Sequence, residues 1–590
     1  MIPLNDEQRL AVDTPGNVVV TACPGSGKTR VLAARVVRGL TELKTRRERV
    51  IALTYTNRAA DEIQSRLDEA DVAAECLWAG TIHSFALEWI LRPYAPYCTE
   101  LQYGFSVVNE YFAEQLLSRL KAEAGLAFFD DVHTGFGRDG ADQNTGHAAQ
   151  AVFESYKAEL RRLRAIDFDD VLYLAYRLLH DRPEIAETLG AIVRVICVDE
   201  AQDIQDLQYG ILKFIHRAAR DKPSLFFVGD ENQSIYESLG AMTKSPSEIA
   251  TEFELTTINH LELHGNYRST QRIIDFYRLF RANVPRIDGR SKWAGEDGLI
   301  TFENQTVALE GLAAAIASRI TAALSEGVAT NDICVIAPRW MHIKPLARLL
   351  VNHLPEVDFD APGLSPLHSS YENFWFKVGR LMLTRPSPRR TRTRMRWARE
   401  AITDLRTIAA IEAPSAIDSP RRLLRLLNGL SSNQSDGIAY LRDVFAQFLK
   451  LIDFDMETCL ALKESYLGFF EKAESHLSNA EDLLPRDIES FRRLFSHPSG
   501  VVVNTCHGVK GEEYDTVIAF GLLRGFVPHW DVIINHSVEA ATDQESKLLY
   551  VICSRAKRKL HLIAETGRHT KSKRAYQTSE LLAAVRFELD

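Results

Sequence analysis

Residues 17–40 read NVVVTACPGSGKTRVLAARVVRGL, and this stretch decides the fold class. The apolar run Asn17 to Ala22 predicts a buried strand, and Lys28 to Leu40 has the apolar spacing of a helix. Between them, ACPGSGKT (22–29) has the composition of a P-loop, in which backbone N–H groups and a helix N-terminus hold phosphates. The order strand, glycine-rich loop, helix therefore predicts an α/β domain that binds a nucleotide.

The residue types of this loop predict the ligands. Gly25 and Gly27 allow a tight backbone path around the phosphates. Lys28 reaches the terminal phosphates, and the Thr29 hydroxyl coordinates magnesium. Ala22 stands where the motif usually has its first glycine. We therefore expect ATP and Mg²⁺ as cofactors, with ATP contacts from Ala22, Cys23, Pro24, Gly25, Ser26, Gly27, Lys28 and Thr29.

A second motif of phosphate chemistry, VDEAQD (198–203), directly follows the apolar run VRVIC. An acidic pair at the end of a strand suits metal chemistry. Asp199 is expected to hold the magnesium through water, and Glu200 to accept a proton from the water that attacks the γ-phosphate. Together with the P-loop, the pair predicts hydrolysis of ATP.

Strand and helix patterns alternate along most of the chain, and two long helical stretches, 89–164 and 376–498, interrupt them. Such alternation indicates parallel sheets with helices on both faces. The other predicted elements are a helix at Asn57–Leu67 and strands at Val50–Thr54, Val193–Val198, Ser224–Val228, Asp332–Ala337, Gly500–Asn504, Asp515–Gly521 and Lys559–Ala564.

Composition narrows the class of protein. The 590 residues, 46% hydrophobic and 25% charged, suffice for several packed cores, about four by length. The formal net charge of −9 weakens the idea of a protein that coats DNA, but a motor with a local basic groove remains compatible. The eight cysteines form no Cys-x-x-Cys pair, which argues against a zinc or iron–sulfur site and fits a reducing compartment. With neither a secretory signal pattern nor a bilayer-length apolar run, we expect a cytoplasmic protein without a membrane partner.

Further segments follow in a fixed order, and together they resemble the UvrD/Rep/PcrA helicases of superfamily 1 over nearly the whole chain. Their common order is far more specific than any one of them. The segments are LNDEQRLAV (4–12), ALTYTNRAADEI (52–63), GTIHSFA (80–86), AIDFDDVL (165–172), VGDENQSIY (228–236), NYRST (266–270), TCHGVKGEEYDTV (505–517) and YVICSRAKRKL (550–560).

This resemblance implies an α/β fold of two RecA-like motor domains with parallel sheets, each with a mainly helical insertion. It also implies that ATP binds between the motor domains and that the chain travels 3′-to-5′ on single-stranded DNA. The expected first motor domain is 1–88 with 165–270 and its insertion is 89–164; the second is 271–375 with 499–590 and its insertion is 376–498.

The resemblance also implies roles at the ATP site beyond the two phosphate motifs. Arginines from opposite walls of a cleft stabilise the charge of phosphoryl transfer, and a cation and a ring can enclose the adenine. The residues concerned are Gln8 at the adenine edge, Arg30 and Tyr267 at its faces, Arg268 and Arg555 at the γ-phosphate, Gln233 as the γ-phosphate sensor and Glu513 at the ribose.

A DNA track is implied as well. Bases bind such tracks by stacking on aromatic rings, and phosphates bind to hydroxyls, amides and cations. Phe85 matches a track position and fits a core position equally well. The residues expected to contact DNA are Tyr55, Thr56, Asn57, His83, Tyr236, Thr505 and His507.

Two stretches depart from the family pattern or add to it. After Tyr236 the family continues with an aromatic and an arginine, where this chain has Glu237, Ser238 and Leu239, which weakens the expected base-gripping pocket. Residues 385–399 (RPSPRRTRTRMRWAR) contain seven arginines and no acid. They fit either a contact with the phosphates of duplex DNA or a solvated basic loop.

Two functions follow from these observations. The first is a self-sufficient helicase for repair or replication that acts on single-stranded and junction DNA. The second is a DNA-stimulated ATPase subunit that works with a partner nuclease in anti-phage defence, since the compact insertions and the altered run after Tyr236 resemble Gabija-type helicase subunits. A scaffold with an inactive ATP site is disfavoured because every expected catalytic residue is present: Lys28, Asp199, Glu200, Gln233, Arg268 and Arg555.

Overall fold

Parallel strands covered by helices make up most of the structure. The computed structural model describes residues 3–69, 72, 74–108, 110–127, 130–236, 240–281, 286–304, 309–361, 364–367, 373–408, 414–478, 484–495, 499–565, 567–570 and 573–590. In these residues the strands are β1 (Val18–Ala22), β2 (Arg49–Thr54), β3 (Leu77–Thr81), β4 (Ser106–Val107), β5 (Ala165–Ile166), β6 (Val193–Val198), β7 (Ser224–Gly229), β8 (Asn259–Leu263), β9 (Gly265–Asn266), β10 (Asp288–Gly289), β11 (Leu299–Glu303), β12 (Ile333–Ala337), β13 (Phe359–Asp360), β14 (Val501–Thr505), β15 (Tyr514–Ala519) and β16 (Ala556–Ile563).

The helices alternate with these strands in the two sheet regions and dominate between them. In chain order they are α1 (Asp6–Asp13), α2 (Lys28–Glu42), α3 (Asn57–Glu69), α4 (Ile82–Phe85), α5 (Arg92–Tyr94), α6 (Glu110–Glu123), α7 (His147–Arg162), α8 (Phe168–Asp181), α9 (Pro183–Ile192), α10 (Asp206–Ala218), α11 (Pro246–Glu252), α12 (Gln271–Arg278), α13 (Leu309–Ser325), α14 (Trp340–His353), α15 (Phe374–Leu383), α16 (Thr391–Ile408), α17 (Pro420–Asn428), α18 (Gly437–Leu451), α19 (Leu460–Ser478), α20 (Ile488–Arg493), α21 (Trp530–Asn535), α22 (Val538–Cys553) and α23 (Glu580–Ala584).

The first sheet has six strands in the order β3-β2-β6-β7-β1-β8, and all neighbours are parallel. Its inner strands β2, β6, β7 and β1 are mainly apolar because helices cover both faces, as parallel sheets require, whereas the edge strand β8 is polar and largely exposed. Two separate cores lie on the two faces, one around Phe227 and one around Phe226. Strand β1 lies between β7 and β8, so the P-loop leaves the sheet between other strands and not at its edge.

The second sheet has the order β11-β16-β15-β12-β14-β13 and is also parallel throughout. One face packs on α13 and α14, and the other on α12 and α22. The predicted α/β fold with parallel sheets is confirmed. The predicted ends of Val193–Val198 coincide with the observed ones, and those of the other strands differ by one to three residues, because the apolar run marks burial while hydrogen bonding sets the length of the strand.

Helices fill the two stretches between the strand-rich regions. In the first, the buried Lys157 ammonium of α7 lies 2.9 Å from an Asp167 oxygen and 2.8 Å from one of Asp170, which ties α7 to the start of α8. In the second, α15 to α20 surround a core in which the Trp375 and Phe445 rings lie 4.9 Å apart. Across the residues that the structure covers, no helix combines the length and apolar character needed to cross a membrane.

Candidate functional site

The P-loop follows β1 and wraps tightly around its own backbone. Gly25 and Gly27 have φ of +71° and +82°, a region that favours glycine. A Cβ on Gly25 would lie 2.7 Å from the Arg268 Cβ, and one on Gly27 would lie 2.9 Å from Gln8 Nε2. Both glycines are therefore required by the close approach of neighbouring segments as well as by backbone conformation.

One buried atom of this loop points to an anionic ligand. The Ser26 hydroxyl is buried and has no hydrogen-bond partner among the described residues. Such a group is costly unless a ligand or water satisfies it. The orphan hydroxyl and the glycine cradle at the start of α2 fit the phosphates of ATP. Thr29 lies half-buried in the first turn of α2, where a magnesium ion beside those phosphates would need a hydroxyl.

Asn266 holds the P-loop through hydrogen bonds of its side chain. Its Nδ2 donates to the Pro24 carbonyl at 2.7 Å, and its Oδ1 accepts from the Arg268 and Ser269 amides at 2.8 Å each. Cys23 is buried, and its amide donates to the Leu263 carbonyl at 3.2 Å. Sequence reasoning missed Asn266, although it stands in the quoted NYRST segment. It had assigned the tasks of that segment to Tyr267 and Arg268.

The acidic pair follows β6 on the same edge of the sheet. Glu200 has φ of +48°, an unusual conformation for a residue with a side chain, and its Oε2 lies 3.6 Å from Lys28 Nζ. Burial and then the charge of Glu200 raise the pKa of Asp199 to about 7. Burial alone would raise the pKa of Glu200, but Lys28 and Lys510 outweigh it and bring that pKa to about 2. Glu200 is thus held as a carboxylate beside the P-loop lysine.

Gln202 joins the acidic motif to the segment after β7. Its Nε2 donates to Glu200 Oε2 at 2.6 Å, and its Oε1 accepts from the Asp230 amide at 2.9 Å. The Ser234 hydroxyl donates to the Gln202 carbonyl at 3.3 Å. Gln202 therefore links the acidic pair to residues 230–234 by direct hydrogen bonds. The resemblance assigned no role to Gln202, because its importance lies in contacts between two loops.

Arg555 crosses the cleft between the two sheets. The guanidinium group is 1% exposed, and its Nη2 donates to Gln233 Oε1 at 2.6 Å. Gln233 in turn donates through Nε2 to Asp230 Oδ2 at 2.6 Å. Burial and then the nearby charge of Arg268 lower the pKa of Arg555 to about 9. The structure thus brings the predicted sensor and the predicted arginine finger into direct contact.

Arg268 is the second arginine of the cleft. Its Nε donates to Glu513 Oε2 at 3.0 Å, and its Nη1 donates to the Ser554 carbonyl at 2.7 Å. Glu513 also lies 3.7 Å from Lys557 Nζ. The predicted ribose residue and one of the predicted γ-phosphate residues therefore pair with each other across the cleft.

The predicted adenine residues lie at the outer end of the cleft. Gln8 is buried, and its Nε2 donates to the Ser26 carbonyl at 2.7 Å. Tyr267 is exposed, its hydroxyl accepts from Asn5 Nδ2, and its amide donates to the Gly25 carbonyl at 2.8 Å. Arg30 is half-buried in the first turn of α2. Gln8 and Tyr267 are both anchored on the P-loop.

Three aromatic rings lie in segments that follow the carboxyl ends of β2, β7 and β14. We call Tyr55, Tyr236 and His507 the aromatic row. The Tyr55 and Tyr236 rings stack with centroids 4.6 Å apart, and the Tyr236 and His507 rings lie 5.4 Å apart. The Tyr236 hydroxyl donates to the His507 carbonyl at 3.2 Å. These three predicted DNA residues therefore form one continuous group that spans the two sheets.

The other predicted DNA residues differ in their local contacts. The Thr56 and Thr505 hydroxyls accept from the amides of Ala59 and Gly508 at 3.2 and 3.0 Å, which caps the turns they begin. His83 lies beside Phe168, and burial lowers the pKa of its imidazole to about 4. The side chain of Asn57 lies outside the described part of the structure, as do residues 237–239, where the departure from the family pattern falls.

Phe85 belongs to the core and is not part of the track. Its ring is 1% exposed and lies 5.3 Å from the ring of Trp78 and 5.6 Å from that of Trp89. The alternative reading of Phe85 as a DNA contact is therefore wrong. Helix α4 turns this side chain inward.

The basic segment 385–399 is mostly helical. Arg394 of α16 is buried and donates to the Leu381 carbonyl at 2.8 Å, and Arg396 pairs with Asp61 of α3. The interpretation as a loop is wrong for residues 391–399, which belong to α16. Arg385, Arg392 and Arg399 are nevertheless exposed, as in a solvated segment. Helix α16 lines a cleft of about 1950 Å³ that also reaches Trp78 and His83. The contact with duplex phosphates stays a prediction.

Comparison with known families agrees with this geometry. Residues 4–130 and 133–254 match the UvrD/REP helicase N-terminal domain, and residues 432–567 match the UvrD-like helicase C-terminal domain. The chain belongs to the UvrD-like helicase family. Family membership confirms the resemblance on which the site residues were predicted, whereas the individual roles of those residues and the likeness to Gabija subunits stay predictions.

Three curated relatives show how far the similarity extends. The ATP-dependent DNA helicase PcrA of Leuconostoc citreum is 31% identical over 292 residues, which are 46% of this chain and 38% of the relative. The ATP-dependent DNA helicase UvrD1 of Mycobacterium leprae (strain TN) is 29% identical over 300 residues, with the same two shares. The putative ATP-dependent DNA helicase YjcD of Bacillus subtilis (strain 168) is 23% identical over 628 residues, 97% of this chain and 80% of the relative. The chain thus matches less than half the length of the first two relatives.

Proposed function

We propose that this chain hydrolyses ATP and uses the free energy to move 3′-to-5′ along single-stranded DNA and to separate strands. The observation that carries the proposal is the position of Lys510. Its Nζ lies 2.5 Å from Asp203 Oδ2, at the end of the acidic motif, and 4.9 Å from the centre of the Tyr236 ring. One ammonium group therefore contacts both the ATP cleft and the aromatic row.

The ATP side has the groups that phosphoryl transfer requires. Lys28 and the loop amides are placed for the phosphates, and Glu200 is a carboxylate able to accept a proton from an attacking water. Thr29 and Asp199 would hold Mg²⁺, which neutralises charge on the β- and γ-phosphates. Arg268 lies beside the P-loop and Arg555 comes from the opposite wall, so two guanidinium groups face the cleft, where such groups stabilise the charge of the transition state.

The coupling follows from an exchange of partners across the cleft. Arg555 and Arg268 now pair with Gln233 and Glu513. A γ-phosphate is a stronger partner for both guanidinium groups, so bound ATP and bound products favour different arrangements of the two sheets. Because Tyr236 and His507 come from different sheets, any such rearrangement changes the grip on the bases. Alternating grips produce movement along the strand.

The same proposal includes the organisation and surroundings of the motor. We assign 1–88 with 165–270 and 271–375 with 499–590 to the two motor domains, and 89–164 and 376–498 to the insertions. The expected partners are single-stranded and junction DNA. All eight cysteines are unpaired with one another, which supports a reducing cytoplasm as the place of action.

A second candidate is a DNA-stimulated ATPase subunit that depends on a partner nuclease in anti-phage defence. It is favoured by one observation: the family's stacking aromatic and arginine after Tyr236 are replaced by Ser238 and Leu239. A weaker base grip would leave hydrolysis intact and reduce unwinding by the isolated chain.

A strand-displacement assay separates the two functions. The purified chain is given ATP with duplexes that carry either a 3′ or a 5′ single-stranded tail, and Glu200→Gln serves as the inactive control. Displacement from the 3′-tailed duplex alone supports the self-sufficient helicase. Hydrolysis stimulated by DNA without displacement supports the subunit. A rate of ATP hydrolysis that is the same with and without DNA contradicts both functions.

A further inference from the structure

Arg281 lies three residues beyond the end of α12, outside all the segments that carry the family resemblance. Its side chain is 19% exposed, and its guanidinium group contacts two separate parts of the molecule. Nε donates to Asn232 Oδ1 at 2.8 Å, and Nη1 lies 2.5 Å from Asp543 Oδ1. Asn232 stands next to Gln233, the predicted γ-phosphate sensor, and Asp543 belongs to α22. One arginine therefore joins the sensor segment after β7 to a helix of the second sheet region.

The attachment on α22 is fixed by further contacts of the same helix. Asp543 Oδ2 lies 2.6 Å from Lys547 Nζ, one turn further along. The Ser546 hydroxyl accepts from Arg281 Nη1 at 3.3 Å and donates to the Phe280 carbonyl. Burial alone would raise the pKa of Asp543, but Lys547 and Arg281 outweigh it and lower that pKa. Arg281 is therefore held by an ionised carboxylate, and charge-assisted hydrogen bonds of this kind are stronger than neutral ones.

The sensor segment is thus attached to α22 at two points. Gln233 accepts from Arg555, which follows the end of this helix, while the neighbouring Asn232 accepts from Arg281. Asp543 lies ten residues before the last residue of α22 (543 to 553), about 15 Å along the helix axis. A second attachment at that distance restrains the helix from turning about the hydrogen bond between Arg555 and Gln233. The direction in which Arg555 points into the cleft therefore depends on Arg281.

We propose that Arg281 is a positioning residue for ATP hydrolysis, which sets the orientation of α22 relative to the sensor segment and so the place of Arg555 at the γ-phosphate. The inference rests on the proposed function and adds a residue that the family motifs do not include. A misplacement of about 1 Å at a reacting group can cost about 100-fold in rate. A looser α22 would therefore slow hydrolysis, although Arg281 itself does not touch the nucleotide.

The test measures kcat and KM for ATP hydrolysis in the presence of single-stranded DNA. Arg281→Ala is expected to lower kcat about tenfold or more and to change KM less than about twofold, because the P-loop is untouched. Arg281→Lys keeps a cation beside Asp543 but lacks the planar group that holds two partners, so its kcat should lie between those of the wild type and Arg281→Ala. Arg286→Ala, at a side chain 85% exposed, is the matched control and should hydrolyse ATP as the wild type does.

A double-mutant cycle distinguishes this role from a general loss of stability. Asn232→Leu removes the oxygen that accepts from Arg281 and should lower kcat by a factor similar to that of Arg281→Ala. The two changes together should lower kcat no further, because either one breaks the same link. Asn232→Asp keeps an acceptor oxygen and should lower kcat less. Thermal unfolding shows which variants are folded, and Asn232→Leu carries the test if Arg281→Ala does not fold.

The outcomes separate this inference from the proposed function. Wild-type kcat in folded Arg281→Ala or Asn232→Leu would overturn the inference, and so would effects of the two changes that multiply in the double variant. A wild-type chain that does not hydrolyse ATP would instead overturn the proposed function.

Discussion

The ATP cleft and the aromatic row lie side by side but are built on different principles. In the cleft, charged groups are buried, paired and fixed by short hydrogen bonds, as Arg555 and Gln233 illustrate. In the row, rings lie against each other without fixed charge pairs, as Tyr55 and Tyr236 do. Phosphoryl transfer needs charges at defined points, whereas stacking accepts any base and many ring positions. This difference fits the observation that the cleft retains every expected catalytic residue, whereas the departure from the family pattern after Tyr236 falls at the track.

The largest expected effect is that of removing a charge from the ATP cleft. If the cleft tolerated that loss, the contrast with the aromatic row would not hold. Replacing Arg555 by alanine is expected to slow ATP hydrolysis by about 1,000-fold or more, the contribution of an arginine finger. Arg555→Lys keeps the positive charge but lacks the planar guanidinium group, so its rate of ATP hydrolysis should lie between those of the wild type and Arg555→Ala. Steady-state hydrolysis is the measurement, with exposed Arg574→Ala as the control and thermal unfolding to confirm the fold. Full turnover in a folded Arg555→Ala variant would remove Arg555 from the reaction.

The acidic pair gives the next largest effect. Glu200→Gln keeps the shape of the side chain and removes its ability to accept a proton, so hydrolysis is expected to fall about 100-fold or more. Nucleotide binding should persist, because the P-loop is untouched. Exposed Glu187→Gln on α9 is the matched control. Hydrolysis at the wild-type rate would mean that another group activates the water.

Substitutions in the aromatic row are expected to have smaller effects, and these effects fall on the affinity for single-stranded DNA. Tyr236→Ala should weaken binding of single-stranded DNA about tenfold, as the loss of one stacking ring does. Tyr236→Phe loses only the bond to the His507 carbonyl and should bind nearly as well as the wild type. Tyr103→Ala, at a residue 76% exposed, controls for the loss of a surface ring. Equal affinities for all of these proteins would show that the row is not the track.

Lys510 lies between the ATP cleft and the aromatic row, so its replacement tests whether the two regions are coupled. Lys510→Met keeps much of the volume but removes the cation shared by Asp203 and Tyr236. We expect the ratio of DNA-stimulated to basal hydrolysis to fall about fivefold or more, the lower range of coupling between two sites. Adding Asp203→Asn to the same chain removes the carboxylate that the first change leaves without this lysine and should restore stability but not coupling. Lys463→Met, which removes a surface pair with Glu457, is the control; an unchanged ratio in Lys510→Met would place the coupling elsewhere.

Much of the fold was accessible from the sequence because its signals are local. The strand at Val193–Val198 was predicted with its observed ends, and the P-loop was predicted from eight consecutive residues. Apolar runs between helical patterns predict parallel α/β sheets. The order of strands within each sheet is not local, and the sequence pattern did not specify it.

The site was accessible only where a motif names a residue. Asn266, Gln202 and Lys510 are ordinary polar residues whose importance lies in partners 28 to 307 positions away. The pairing of Arg396 with Asp61, 335 positions apart, likewise has no sequence signal, and this is why the basic segment was open to interpretation as a loop. Phe85 shows the opposite case, since one buried ring and one stacking ring look alike in a motif.

DNA bound on the aromatic row is expected to control ATP hydrolysis in the cleft. The most direct test is the steady-state rate of ATP hydrolysis by the purified chain with and without single-stranded DNA. We predict that the DNA raises the rate at least about fivefold and that Glu200→Gln lowers it about 100-fold or more in both conditions. A wild-type rate that is the same with and without DNA would contradict the account.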